Sequence, residues 1–176
     1  EWFSGNGPVD IKAHNVDGDD DVDLVIANSG ELFISVLLND GNGAFGTLNV
    51  ETPTATNAVE IANVDGTFGD IVVGTTTGIA VILSNDDGTF EDAVPFALGV
   101  KPTSIARMDR DDGLHDLVIA SGDIFLTIAT NNGSGAYAPA TTLASPCARR
   151  DSSTRPFCCG TGGARKARAP GPRIMW

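Results

Sequence analysis

Cysteine is missing from the first 146 residues: Cys147, Cys158 and Cys159 all lie in the last stretch of the chain. Disulfides therefore do not hold the body together. Basic residues are almost as scarce there. Lys12, Lys101, Arg107 and Arg110 face 22 acidic residues before residue 146, whereas 146–176 carry seven basic residues and one acid, Asp151. A body so charged repels nucleic acid and anionic membrane surfaces and favours cations. No apolar run approaches the roughly 20 residues that span a bilayer, so neither membrane insertion nor nucleic-acid binding is expected. No segment sustains a helical period.

Catalytic groupings are also lacking. His14 and His115 are the only histidines, and neither has a marked nucleophile to complete a triad. Carboxylates abound, yet none is set apart as a glycosidase pair. The run Gly160-Thr161-Gly162-Gly163 lacks the Lys-Ser/Thr of a phosphate-binding loop, and Cys158-Cys159 lacks partners for a metal. The chain is expected not to be an enzyme.

What is present is repetition. Asp23-Leu24-Val25-Ile26-Ala27 returns as Asp70-Ile71-Val72-Val73-Gly74 and as Asp116-Leu117-Val118-Ile119-Ala120, at steps of 47 and 46 residues. Asn39, Asn85 and Asn131 keep the same period, each followed by Gly and an aromatic: Phe45, Phe90 and Tyr137. Short Val/Ile/Leu/Thr runs bounded by Gly, Asn, Asp and Pro predict four strands per repeat. They fall at 9–14, 23–28, 32–38 and 45–51, then at 58–62, 71–75, 79–83 and 90–96, then at 103–108, 117–120, 124–130 and 137–143. Four short antiparallel strands in a repeat of this length predict an all-β fold of β-propeller blades. The expected divisions are 1–7 as the end of a preceding blade, 8–54, 55–100 and 101–145 as three repeats, and 146–176 as a basic tail outside the fold. Three blades make a partial propeller, so the chain is expected to be a fragment or to complete its ring by self-association.

The chemistry concentrates in the loops after each first strand. Loop 1, residues 15–23, places oxygen side chains at its positions 1, 3, 5 and 9 (Asn15, Asp17, Asp19, Asp23), with the Asp21 carbonyl at position 7. Such an alternation wraps a hard cation that takes six to eight oxygens. Without one, each close aspartate pair at about 5 Å costs on the order of 1–3 kcal/mol. An EF-hand is excluded, because Ile26 stands where its bidentate Glu would be and strands replace the helices.

Loop 1, together with Val36-Leu37-Leu38-Asn39-Asp40-Gly41-Asn42-Gly43-Ala44-Phe45, resembles the FG-GAP/VCBS repeat family, which includes the propeller of integrin α subunits and many bacterial secreted or surface proteins. The resemblance covers 1–145 and implies calcium-holding blades on an extracellular or cell-surface protein. Asp20 stands where the family usually has glycine. Loop 3 carries over Asp109, Asp111, Asp112, Leu114 through its carbonyl, and Asp116. Loop 2 offers Asn63, Asp65, Thr67 and Asp70, with fewer charges, and is read instead as an acidic turn held by side-chain hydrogen bonds to backbone. The implied function is recognition of a carbohydrate or protein ligand, with calcium as a structural cofactor. Two other readings are a non-catalytic part of a secreted polysaccharide-active enzyme and a structural repeat of a surface adhesin.

Overall fold

The computed structural model describes residues 3–122, 125–138 and 141–144. Among these there is no helix. The strands are β1 (Pro8–His14), β2 (Asp23–Asn28), β3 (Phe33–Asn39), β4 (Phe45–Glu51), β5 (Ala58–Asn63), β6 (Phe68–Gly74), β7 (Gly78–Ile82), β8 (Val94–Ala97), β9 (Ser104–Asp109), β10 (His115–Ala120), β11 (Phe125–Ala129) and β12 (Thr141–Ala144). They form three antiparallel sheets, each a meander in sequence order: β1-β2-β3-β4, β5-β6-β7-β8 and β9-β10-β11-β12. Residues 146–176, expected to stand apart from the fold, lie outside the described residues.

Alternation within the strands explains the stacking. In β6, Ile71 and Val73 face the first sheet while Val72 faces the third; in β7, Ala80 and Ile82 face one way and Ile79 and Val81 the other. The middle sheet is covered on both faces, so its strands read as unbroken apolar runs rather than as alternating ones. The first apolar layer adds Val25, Ala27, Ile34 and Val36 from the first sheet; the second adds Ile105, Leu117, Ile119 and Ala129 from the third. Phe96 meets Tyr137 edge-to-face at 6.5 Å in the second layer.

The first strands β1, β5 and β9 lie side by side across the sheets. Asp10 Oδ2 accepts the Val59 N–H at 3.0 Å, Lys12 pairs with Glu60 at 3.3 Å, and Arg107 donates to the Ile61 carbonyl at 3.0 Å. The second and third sheets also each grip the loop of the sheet before. Ser84 Oγ–H donates to the Val16 carbonyl at 2.6 Å, and Asn131 Nδ2–H donates to the Val64 carbonyl at 3.0 Å.

Two expectations need correction. The fourth strands of the second and third repeats differ from the expected 90–96 and 137–143: Phe90 and Tyr137 make single bridges, to Ser84 and Asn131, and the strands themselves are Val94–Ala97 and, beyond two residues that are not described, Thr141–Ala144. These strands close their sheets with a partner on one side only, and in the second repeat the chain leaves the ladder after Phe90; Pro95 in β8 is tolerated at such an edge. The asparagine landmark also slips. Asn39 pairs with Phe45 and Asn131 bridges Tyr137, but in the second repeat the equivalent residue is Ser84, one position before Asn85.

Candidate functional site

The three Asp-rich loops lie at one end of the sheets, beside the turns that join each third strand to its fourth. Their last aspartates share one role. Asp23 accepts the Val16 N–H at 2.8 Å and the Asn39 N–H at 2.9 Å. Asp70 accepts the Val64 N–H at 2.8 Å and the Ser84 N–H at 3.1 Å. Asp116 accepts the Asn131 N–H at 2.8 Å. All three are buried. Each carboxylate fastens the end of the third strand, and in the first two repeats it fastens its own loop as well. Asp23 and Asp116 are expected from the sequence as metal ligands and Asp70 as part of an acidic turn; the backbone role of all three has no short-range signal.

Loop 1 winds through a chain of side-chain-to-backbone hydrogen bonds. Asn15 Oδ1 accepts the Asp17 and Gly18 N–H groups, Asp17 Oδ1 accepts from Asp19, and Asp19 Oδ1 accepts from Asp21. Asp20 adopts φ 74°, a left-handed conformation that glycine accepts most readily. Burial, and then the charges of Asp23 and Asp19, raise the Asp17 carboxyl above its ordinary range. The donors are all oxygens and their charges crowd, which fits a hard cation by donor type. Among the described residues, however, no three His, Cys, Asp or Glu side chains are already gathered around a metal position.

Loop 2 closes as an acidic turn: Asn63 Oδ1 accepts the Gly66 N–H, and Asp65 Oδ1 accepts both the N–H and the hydroxyl of Thr67. Burial pushes the Asp70 carboxyl up to about 6. Loop 3 does not fit a metal. The Arg110 guanidinium sits among its carboxylates, 2.7 Å from Asp112 Oδ2 and 3.3 Å from Asp116 Oδ1. The Leu114 carbonyl accepts the Arg110 N–H at 3.1 Å. Asp109 Oδ1 lies 3.2 Å from His115 Nε2, and Asp111 is exposed. His115 Nδ1 accepts the Asn63 N–H at 2.7 Å, which assigns the ring proton to Nε2; burial, and then Arg107, lower the imidazole below its ordinary value.

A separate cleft of about 360 Å³ opens between the first two sheets. Leu48–Glu51 of β4 form one wall and Gly88–Asp92 the other, so that Phe90 lies among Asn49, Thr89, Glu51, Glu91 and Asp92. Its walls stand about 40 residues apart in sequence, and no short motif marks it.

No family model matches the chain, and no curated protein matches it. Among solved structures, the chain is similar to an Agrocybe aegerita lectin described as specifically recognising non-reducing terminal N-acetylglucosamine, at 25% identity and a TM-score of 0.56. The match covers 77% of this chain and 38% of the lectin chain.

Proposed function

We propose that this chain is a carbohydrate-recognition module, and that its three sheets are blades of a propeller of the FG-GAP/VCBS type. The likeness to the N-acetylglucosamine-recognising lectin is the observation that carries the reading. The cleft between the first two sheets supports it: Phe90 offers an apolar ring face and Asn49, Glu51, Glu91 and Asp92 offer polar groups for hydroxyls. Such a mix of one aromatic surface and a few placed polar groups is what a small polar ligand needs. The module works outside the cell or at its surface, as a non-catalytic binder.

Calcium is the cofactor of loop 1 in this reading. Asn15, Asp17, Asp19, Asp23 and the Asp21 carbonyl would hold it, and its charge would offset the burial and the neighbouring aspartates that raise Asp17. The ion is structural: it fixes a loop that Ser84 ties to the second sheet.

Calorimetric titration of the full chain with oligosaccharides ending in N-acetylglucosamine tests the proposal. Phe90→Ala is expected to weaken binding by about tenfold or more, since a ring contact in such a site is worth about 1–2 kcal/mol. No binding by the native chain at millimolar sugar, or equal binding by Phe90→Ala, overturns it.

A further inference from the structure

Loop 3 has the carboxylates of a cation loop, yet its donors are already engaged. We infer that Arg110 is the resident cation of the third repeat, so that this loop takes no metal. One guanidinium nitrogen reaches Asp116 Oδ1 at 3.3 Å and the Asn131 carbonyl at 2.7 Å; the other reaches Asp112 Oδ2 at 2.7 Å. A single fork thus joins the middle of the loop, its last aspartate and the bridge residue that follows β11. Two of the expected loop 3 ligands, Asp112 and Asp116, are thereby paired with the guanidinium.

The chemistry suits the task. A guanidinium is planar, stays charged at every accessible pH, and offers five donors in a fixed array that matches carboxylates. Other oxygens of the loop are engaged as well: Asp112 Oδ1 accepts the Leu114 N–H, Asp116 Oδ1 accepts the Asn131 N–H beside the guanidinium, and the Leu114 carbonyl accepts the Arg110 N–H. A divalent ion would have to displace the arginine and desolvate alongside it.

Comparison with the other repeats shows where the arginine came from. The residue after the first loop position is Val16 in repeat 1 and Val64 in repeat 2, both fully buried between sheets. In the third repeat it is Arg110, whose side chain is one-third exposed and folds back over its own loop. Val16 and Val64 give their N–H groups to Asp23 and Asp70. Arg110 instead gives its N–H to Leu114 and meets Asp116 through its side chain. The contact between this position and the last aspartate is therefore kept, but a charged side chain makes it in place of a backbone amide.

The inference rests on these loops being built around a cation, and the test separates the two. Terbium luminescence and calcium-dependent melting are measured on the full chain carrying Asp17→Asn and Asp19→Asn, which silences loop 1. With Arg110 intact, this chain is expected to show no saturable terbium site and no calcium-dependent melting shift. Adding Arg110→Gln is expected to create one site per chain, with calcium half-saturating in the 10⁻⁴–10⁻³ M range of modest extracellular sites. Arg110→Lys, which keeps the charge without the fork, is expected to stay empty. If Arg110→Gln unfolds in chelator, recovery of the fold in millimolar calcium supports the inference and failure to recover overturns it. A loop 3 site that Asp112→Asn removes while Arg110 is intact also overturns it. Absence of metal at loop 1 of the native chain refutes only the proposed calcium of loop 1 and leaves these arms readable.

Discussion

Asp70 offers the sharpest test of the carboxylate clasps. It is fully buried, its oxygens hold the N–H groups of Val64 and Ser84, and no basic side chain pairs with it among its described contacts. A carboxyl moved from 3.8 to about 6 is less stable as an anion by about 3 kcal/mol, at 1.36 kcal/mol for each pH unit. The folded chain then holds a proton between these values that the unfolded chain has lost. Stability from this group is complete below pH 3.8 and declines as pH rises through about 6. Replacing Asp70 with Ala strands two buried N–H groups, at about 1–3 kcal/mol each, and removes the burial cost of the anion. At pH 7 these nearly cancel, giving a net loss of about 1–2 kcal/mol. At pH 5, where the native carboxyl is mostly protonated, the gap between native and Asp70→Ala should be about 1 kcal/mol wider. Urea unfolding at the two pH values measures it, and the difference cancels every group common to both proteins. A gap that stays constant or narrows on acidification refutes the reasoning.

The remaining expectations follow the same logic. Asp20→Gly should stabilise the chain by about 0.5–1 kcal/mol in thermal or urea unfolding, because glycine accepts the φ of 74° without the Cβ penalty. Calcium against chelator should raise the melting temperature by an amount equivalent to about 3–4 kcal/mol when the ion is far above its dissociation constant, and Asp17→Ala should abolish the shift. His115 accepts the Asn63 N–H only when neutral, and its lowered value means that its contribution is intact above pH 6.5 and fades as pH falls below it; a ring titration by NMR midway below 6.5, absent in His115→Gln, checks this. Ser84→Ala removes the bond from the second sheet to the Val16 carbonyl and should cost about 1–2 kcal/mol in urea unfolding, with loop 1 amides exchanging faster.

Much of the architecture was legible because period and alternation are properties of neighbouring residues. The repeat of Asp23, Asp70 and Asp116 placed the second strand of every sheet, and the expected spans of the first repeat differ from β1 to β4 by a residue at most. Legibility failed where the deciding partner is distant. Asn85 carries the landmark residue type, but Ser84 occupies the landmark position, because the ladder is set by which backbone groups meet and not by the side chain. The cleft of Phe90 exists only once β4 and the β7–β8 connection are brought together.

The loops show the same limit in chemical form. Spacing identified neighbours that meet, since Asn15, Asp17 and Asp19 pass hydrogen bonds along the loop and burial with the charges of Asp23 and Asp19 raises Asp17. Spacing could not say what each gathering would be balanced by, and the three repeats differ on that point. In the second, the buried carboxylate has only amides and holds its proton to about pH 6. In the third, Arg110 supplies a fixed positive charge from within the loop. In the first, the valine at that position is buried, Asp17 is raised, and the described hydrogen bonds of the loop include the His14 ring on the Asn15 carbonyl but no Lys or Arg. One backbone clasp thus recurs with three different electrostatic surroundings. Those surroundings make loop 1 the repeat in which an external cation has most repulsion to relieve, and loop 3 the one in which it has least.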